Sequence, residues 1–278
     1  MTEEAEKIIL VDATFEEGSS SQHIPSKINP DTLFHFAKKV EYIIPEIKAK
    51  KLYPRYCKED ISYLHIDGLK NISYPMKCFC DINLHKLSEH VAWYGCCGIA
   101  LSKEWGIKSG IQPLHYINEN SALRQDLTTA FLAAIRSDSE DENIQNLKDY
   151  IAHELMFSKP YSGMMYNSFA EKEQVKCFTD EQEWRYIPDL SKTNLPQIIT
   201  DVDKISYEER TQNYTNALNK KTDTAISFEY NDLRYIIVKS VEDSEKMIAA
   251  IMNLDIEEIE KYKLTSKILI WEISKGDF

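Results

Sequence analysis

Two glutamates separated by one residue form the most chemically suggestive local pattern in this sequence, within residues 181–186 (Glu-Gln-Glu-Trp-Arg-Tyr). On a β-strand, side chains alternate between faces, so Glu181 and Glu183 would share one face. Neighbouring carboxylates raise each other's pKa and can orient a water molecule or a ribose, as general acid–base catalysis requires. The alternative is an edge strand with solvated carboxylates and Arg185 as their partner. The segment taken alone favours this alternative.

A histidine between two phenylalanines is the second candidate. His35 follows Phe34 and precedes Phe36 just before a helical pattern. Such a histidine is either a catalytic residue or a packed residue of the core, and the local sequence favours the core.

Cysteine and histidine residues cluster in one stretch of the chain and suggest a metal site. They are Cys78, Cys80, His85, His90, Cys96 and Cys97. Cys78 and Cys80 would share one face of a strand, but a single intervening residue is shorter than the usual zinc knuckle. Free cysteine also packs as a small hydrophobic side chain. The sequence therefore predicts packed thiols and no bound metal.

The composition is that of a globular protein, and its charge argues against direct nucleic-acid binding. The chain has 278 residues, 43% of them hydrophobic, and a formal net charge of −12. A negative surface repels phosphate, and the best basic strip, Lys48, Lys50, Lys51 and Arg55, is short and has acidic neighbours. The chain shows neither an export signal nor an apolar run of about 20 residues, which is what a membrane span needs. We therefore expect a cytoplasmic protein with reduced cysteines.

The hydrophobic pattern predicts an α+β protein with a mixed, largely antiparallel sheet and flanking helices. Short strands are predicted at residues 76–80, 98–101, 114–117, 176–179, 184–187 and 266–273. Helices are predicted after a cap at Ser121, around residues 144–155 and at 244–253. Residues 225–230 and 233–238 flank Asn231-Asp232, which suggests a hairpin. Residues 1–30 are expected to be a polar N-terminal segment and 31–278 a single domain, with a polar surface helix within 201–221.

Several stretches of the chain together resemble a known family. The residues that carry the resemblance are 75–82 (Pro-Met-Lys-Cys-Phe-Cys-Asp-Ile), His90, Tyr94, Gly95, 98–106 (Gly-Ile-Ala-Leu-Ser-Lys-Glu-Trp-Gly) and 177–188. They resemble the signatures of the AbiGi family of abortive phage resistance proteins, and the likeness covers most of the chain. It implies a component of a bacterial abortive-infection system of the toxin–antitoxin type. In that role the protein would be the regulator or antitoxin of a toxin partner.

A second resemblance lies in the order of residue types. A histidine–aromatic pair, then a helix and a strand-borne glutamate far downstream, is similar to the order of elements in NAD-dependent ADP-ribosyltransferases. It implies that His35, Phe36 and Tyr94 bind NAD and that Glu183 stabilises an oxocarbenium-like transition state. Glu181 is the other candidate for that role.

The ADP-ribosyltransferase resemblance implies an alternative fold and an alternative function. The fold would be ADP-ribosyltransferase-like, and the protein would be an effector that uses NAD as its substrate to modify a target or consume NAD. One pocket would then be lined by His35, Tyr94 and Glu183. The sequence departs from that pattern at Ala37, where those enzymes often carry a small hydroxyl residue. Whether the protein is an enzyme stays open at the level of sequence.

Overall fold

The computed structural model describes residues 24–201, 207–221 and 223–277. Most of the predicted polar N-terminal segment, including residues 16–21, lies outside the described residues, as do residues 202–206 of the predicted surface helix. Within the described ranges, no helix is long and apolar enough to cross a membrane.

The described part of the chain contains short strands interspersed with helices. The strands are β1 Thr32–Ala37, β2 Lys51–Leu52, β3 Arg55–Asp60, β4 Asn71–Cys80, β5 Cys97–Ser102, β6 Gln112–Pro113, β7 His115–Ile117, β8 Ser158–Pro160, β9 Ser162–Asn167, β10 Lys172–Cys177, β11 Glu183–Tyr186, β12 Ile199–Thr200, β13 Ile226–Ser227, β14 Leu233–Val238 and β15 Ile268–Ile270. The helices are α1 Val40–Ala49, α2 Leu87–Tyr94, α3 Lys103–Lys108, α4 Ala122–Arg136, α5 Glu142–Met156, α6 Tyr207–Leu218, α7 Val241–Met252, α8 Glu258–Thr265 and α9 Trp271–Ser274.

A central sheet organises the fold. Its strands lie in the order β15-β14-β5-β1-β4-β11-β6, with β3 and β12 also paired to β4. The pairings are antiparallel except for the parallel contact between β14 and β15. The long strand β4 holds the sheet together, because Cys80 near its end pairs with β1 and β11 while its beginning pairs with β3. This arrangement confirms the predicted α+β class and the largely antiparallel sheet.

Helices cover both faces of the central sheet. On the first face, Leu33 and Ile99 pack with side chains of α1 and α7 such as Ile43 and Met247. On the second face, α2 covers the region around Cys80, and the antiparallel pair α4–α5 covers the beginning of β4. The alternation of side chains along β1, β4 and β5 supplies apolar groups to both faces of the sheet.

Several predicted elements are confirmed in position and type. The strands predicted at residues 76–80 and 98–101 lie within β4 and β5, and the helices predicted near 144–155 and 244–253 correspond to α5 and α7. Ser121 is the N-cap of α4, since its side chain accepts a hydrogen bond from the backbone N–H of Arg124.

Other local predictions need correction. The stretch 225–238 does not form a hairpin, because β13 pairs with β2 whereas β14 pairs with β5 and β15. The closing strand stops at Ile270 and is followed directly by α9. Strand β11 lies between β4 and β6, so it is not an edge strand. In each case long-range pairing, which local sequence does not encode, determines the outcome.

Candidate functional site

A buried network of charged side chains lies on the second face of the sheet, beside α2 and α5. Its core members are Lys159 of β8, Lys176 of β10, Glu181, and Glu183 and Arg185 of β11. With Glu59 of β3, the network contains three cations and three carboxylates and is therefore neutral in sum. We call these six residues the buried charge network.

The two glutamates are joined by a single lysine. Lys159 Nζ lies 2.7 Å from Glu181 Oε2 and 2.8 Å from Glu183 Oε2. Lys176 Nζ contacts the other oxygen of Glu181 at 2.5 Å. Glu181 and Glu183 are 3% and 7% exposed. The alternative in which these carboxylates are solvated is therefore wrong, although their predicted cationic partner was partly right.

Arg185 is the most deeply buried charge of the network, with 0% of its surface exposed. Its Nε donates to Glu183 Oε1 at 2.7 Å, and Nη2 donates to Glu59 Oε2 at 3.0 Å. Nη1 donates to the carbonyl oxygen of Met156 at 2.8 Å and to the hydroxyl of Tyr74. Every nitrogen of the guanidinium therefore has an acceptor, as a buried charge requires.

Aromatic side chains enclose the lysines of the network. Lys176 Nζ lies 4.5 Å and 4.3 Å from the ring centres of Trp93 and Tyr94 in α2. The Tyr94 hydroxyl donates to Glu181 and accepts from Lys176 at 3.2 Å. Lys159 lies 4.7 Å from the ring of Phe178. Because water is excluded, these cation–π contacts and hydrogen bonds are stronger than on an exposed surface.

A local backbone feature brings both glutamates to the same place. Glu181 ends a short 3₁₀ turn, Phe178–Glu181, and is not on the strand itself. Gln182 then adopts a left-handed conformation with φ of 41°, and its carbonyl accepts a hydrogen bond from the N–H of Asp81 at 3.0 Å. This turn allows Glu181 and Glu183 to meet the same lysine. The two carboxylates therefore meet through this turn and not through the strand alternation on which their shared face was predicted.

The electrostatics of the network keep Glu181 and Glu183 ionised. Burial alone would raise the pKa of Glu183, but Arg185 and Lys159 hold that pKa below its ordinary value. Burial acts on Glu181 in the same way, and Lys159 and Lys176 together outweigh it and lower the pKa. A general acid or base works best with a pKa near the working pH. Neither glutamate has this property in the structure.

His90 lies at the border of the network with an unsatisfied ring nitrogen. Its ring packs 4.6 Å from Tyr94 and 5.3 Å from Phe36, measured between ring centres. Its Nδ1 is buried and has no hydrogen-bond partner among the described residues. Burial lowers the pKa of His90 to about 4. The imidazole is therefore neutral at physiological pH.

The lowered pKa of His90 predicts a loss of stability in mild acid. The pKa of an unfolded histidine is about 6.5, whereas that of folded His90 is about 4. Between these values the unfolded chain binds more protons, so stability falls as the pH falls, by at most about 1.4 kcal/mol per pH unit. We expect His90→Phe to flatten the pH dependence of chemical denaturation in this window. The pKa of His35 is lowered in the same direction and supplies a second contribution.

A pH profile of His90→Phe identical to that of the wild type, in a folded protein, would contradict this assignment. Glu181 and Glu183 begin to lose their contribution near the unfolded pKa of glutamate, about 4.3, at the acidic end of this window. Both proteins share that loss, so the difference between their pH profiles reports His90.

The predicted site residues are partly brought together. Tyr94, Glu181 and Glu183 belong to one buried cluster, and Phe36 reaches its border through His90. His35 does not join them. Phe34, Cys80 and Glu183 are directly opposed on neighbouring strands and so share a face, whereas His35 follows Phe34 and points to the other face.

The environment of His35 supports a packing role for its ring. Its Nδ1 lies 2.9 Å from the carbonyl oxygen of Cys78, and its ring is edge-on to Phe79 with a centre distance of 6.0 Å. Burial lowers its pKa, and the nearby Lys77 adds to this effect. The expected single pocket of His35, Tyr94 and Glu183 is therefore not formed, because the sheet itself separates the first from the other two.

The cysteines behave as packed or free thiols in the described part of the chain. All six are unpaired. Burial raises the pKa of Cys78 and Cys80 well above that of a free thiol, so both stay protonated. The described residues contain no group of three His, Cys, Asp or Glu side chains that could hold a metal ion. The absence of zinc stays a prediction for elemental analysis.

Sequence reasoning missed several members of the network. Lys159, Lys176 and Glu59 belong to three different strands, and no spacing in the chain links them to Glu181 or Glu183. A signal was present for Lys176, a lysine at an inward position of a strand, but alternation alone does not reveal its partner.

An open groove of about 790 Å³ adjoins the network. One wall is formed by Glu89, His90 and Trp93 of α2, and the other by residues 174–177 of β10. Lys176 therefore reaches both the groove and the network. The groove is a second feature of this region, distinct from the fully packed network.

The chain is similar in sequence to known abortive phage resistance proteins. A family model described as "Putative abortive phage resistance protein AbiGi, antitoxin" matches residues 50–239. A protein of Lactococcus lactis subsp. cremoris, named "Abortive phage resistance protein AbiGi", is 36% identical over 245 residues, which cover 81% of this chain and 98% of that protein. No solved structure matches the chain. The matched region includes all members of the buried charge network.

Proposed function

The chain belongs to the AbiGi family of abortive phage resistance proteins, and from this premise we propose that it is the antitoxin of an abortive-infection system. In this role it restrains a toxin partner by protein–protein contact and not by catalysis. The family description supplies the antitoxin role.

The proposal rests on the observation that every carboxylate oxygen of Glu181 and Glu183 already has a partner within the protein. Each oxygen of Glu181 and Glu183 already contacts a cation or a hydroxyl of the protein. Neither carboxylate is left to bond a substrate, and both are ionised at neutral pH. A buried, neutral and fully paired network is typical of a structural element that holds several strands together.

A toxin-neutralisation assay tests the proposed function. We expect the product of the gene next to this one to arrest growth when it is expressed alone. Co-expression of the wild-type chain is expected to restore growth, and the two genes together to limit phage propagation. Restored growth requires a complex, so the two proteins should co-purify. A chain that protects against phage without the neighbouring gene would contradict the antitoxin role.

A second candidate function, an ADP-ribosyltransferase-like effector, is favoured by the meeting of Tyr94 with Glu181 across 87 positions of sequence. In this alternative, Glu183 and Glu181 are the catalytic residues and Phe36 and Tyr94 bind NAD, whereas His35 lies on the other face of the sheet and takes no part. Release of nicotinamide from NAD by the purified chain is its direct test. Tyr94→Phe is the matched variant, since it removes only the hydroxyl. Under the antitoxin proposal, we expect no nicotinamide release by either protein; release that depends on this hydroxyl would favour the enzyme.

A further inference from the structure

The hairpin formed by β9 and β10 has a free edge. Its six residue pairs join β9 and β10 only to each other, and no other described strand pairs with β10. In an antiparallel pair, half of the backbone N–H and C=O groups of each strand point away from the partner strand. The outer edge of β10 therefore offers unpaired backbone groups, which are a template for pairing with another chain.

The groove described above runs along this free edge. Its lining includes four consecutive residues of β10, Gln174 to Cys177, although their side chains alternate between the two faces of the hairpin. A groove that follows the edge of a strand is bordered in this way by consecutive residues of both orientations. Four residues of strand span about 10 Å at 3.3 Å per residue. The opposite wall is the helix α2.

The hairpin is held rigidly in place. Its inward residue Lys176 is fixed by Glu181 at 2.5 Å and by the rings of Trp93 and Tyr94. Asn167 adds a hydrogen bond from its side chain to the carbonyl of Ala92 in α2 at 3.4 Å. The free edge therefore lies at a fixed distance from α2. Because the hairpin is already ordered, binding of a segment there has little entropic cost from ordering it.

The outer face of the hairpin carries a contiguous apolar patch. Val175 and Met164 are directly opposed on the two strands and are 75% and 54% exposed. Tyr166, two residues from Met164, is 55% exposed. Val175 would flank a strand added to the free edge of β10, and Met164 and Tyr166 would lie one strand further away on the same face.

The side chains and charge along the groove define the chemistry of its occupant. Gln174 and Gln182 line the groove with amides, which both donate and accept hydrogen bonds and suit peptide groups. Glu89 and Asp180 are exposed carboxylates at the groove and Lys86 is an exposed cation there, while Glu173 lies on the outer face, so three of these four exposed charges are acidic. The net charge of −12 repels a second copy of the chain and attracts a basic partner.

We infer that the groove between α2 and β10 binds an extended, basic segment of a protein partner, which pairs with the free edge of β10 as an added strand. This inference rests on the proposed antitoxin function and names the surface through which the toxin is held. Main-chain hydrogen bonds supply affinity, and the apolar outer face and acidic rim supply selectivity.

Matched valine substitutions test this surface. Val175→Lys places a positive charge beside the free edge, whereas Val241→Lys makes the same change at a valine of α7 that is 52% exposed. We expect Val175→Lys to weaken binding to the purified product of the neighbouring gene by about tenfold or more, as for a residue central to an interface. We expect Val241→Lys to bind like the wild type. Both variants should unfold at the temperature of the wild type.

Hydrogen exchange provides the second measurement. In the complex, the amides of residues 174–177 that point to the groove are expected to exchange at least about tenfold more slowly, since an added strand protects them. Unchanged exchange there, or wild-type binding by Val175→Lys, overturns the inference while leaving the antitoxin function intact. Protection that depends on the concentration of this chain alone overturns it in favour of self-association. Failure of the wild-type chain to bind the neighbouring product overturns both proposals.

Discussion

Replacing Glu183 with glutamine is expected to lower the free energy of unfolding by about 3–5 kcal/mol, the usual cost of removing one partner from a buried ion pair. The substitution keeps the size of the side chain but leaves Arg185 and Lys159 buried with one carboxylate fewer. Both cations contact Glu183 at 2.7–2.8 Å. The measurement is chemical denaturation at neutral pH, where the carboxylate of the wild type is ionised.

The control for this prediction is the same substitution on the surface. Glu242 of α7 pairs with Lys246 at 3.1 Å, but its side chain is 77% exposed. An exposed pair of this kind contributes little, so Glu242→Gln is expected to show no measurable change. Equal stability of the Glu183→Gln and Glu242→Gln proteins would show that the network does not stabilise the fold.

The burial of Glu183 determines which variant can test an enzymatic role. Had Glu183 been on an exposed strand face, Glu183→Gln would have separated catalysis from folding. Its burial beside Arg185 couples the two, so a loss of activity in that variant would not identify a catalytic residue. Tyr94→Phe is a cleaner probe, because the ring contact with Lys176 remains when the hydroxyl is removed.

Replacing Gly95 with alanine is expected to destabilise the protein by about 3 kcal/mol or more. Gly95 follows α2 directly and has φ of +100° and ψ of 165°, a conformation that is strained for residues with a side chain by about 1–3 kcal/mol. An added Cβ would also lie 2.7 Å from the carbonyl oxygen of Ala37 and 2.8 Å from Cα of Lys38, both of them backbone atoms. Relieving this overlap requires a shift of α2 or β1, which adds a cost of about 1–3 kcal/mol.

Two other glycines serve as controls that distinguish backbone strain from steric overlap of an added Cβ. Gly110 has φ of +72° but open space around its Cβ position, so Gly110→Ala should cost only the strain, about 1–2 kcal/mol. Gly276 has neither a positive φ nor a close neighbour, so we expect no loss in Gly276→Ala. Thermal and chemical denaturation of the three variants should follow this order. A Gly95→Ala protein as stable as Gly110→Ala would contradict the close approach of α2 to β1.

Gly95 directly follows two residues of α2 that contact the buried charge network or line the groove. Tyr94, the preceding residue, contacts Glu181 and Lys176, and Trp93 lines the groove. A shift of α2 would therefore disturb both the network and the groove. We expect binding of the partner to weaken together with stability in Gly95→Ala.

Much of the secondary structure could be predicted from local sequence. The strand around residues 76–80, the Ser121 cap and the amphipathic helices near 144–155 and 244–253 depend on periodicity and on capping groups within a few residues. These signals are local because a helix or a strand selects side chains by its own repeat. The family resemblance was also visible at this level, since it rests on contiguous stretches of residues.

Only the tertiary structure decided which side chains meet. Periodicity placed Glu181 and Glu183 on a common side, but their burial and their pairing with Lys159 and Lys176 depend on how β8, β10 and β11 pack together. Whether His35 and Glu183 lie on the same face of the sheet depends on the strand order β1-β4-β11 and on the register of each pairing. A shift of one residue in either register would have placed the two side chains on the same face. The physical reason is that burial and ion pairing are set by contacts between elements, whereas periodicity describes each element separately.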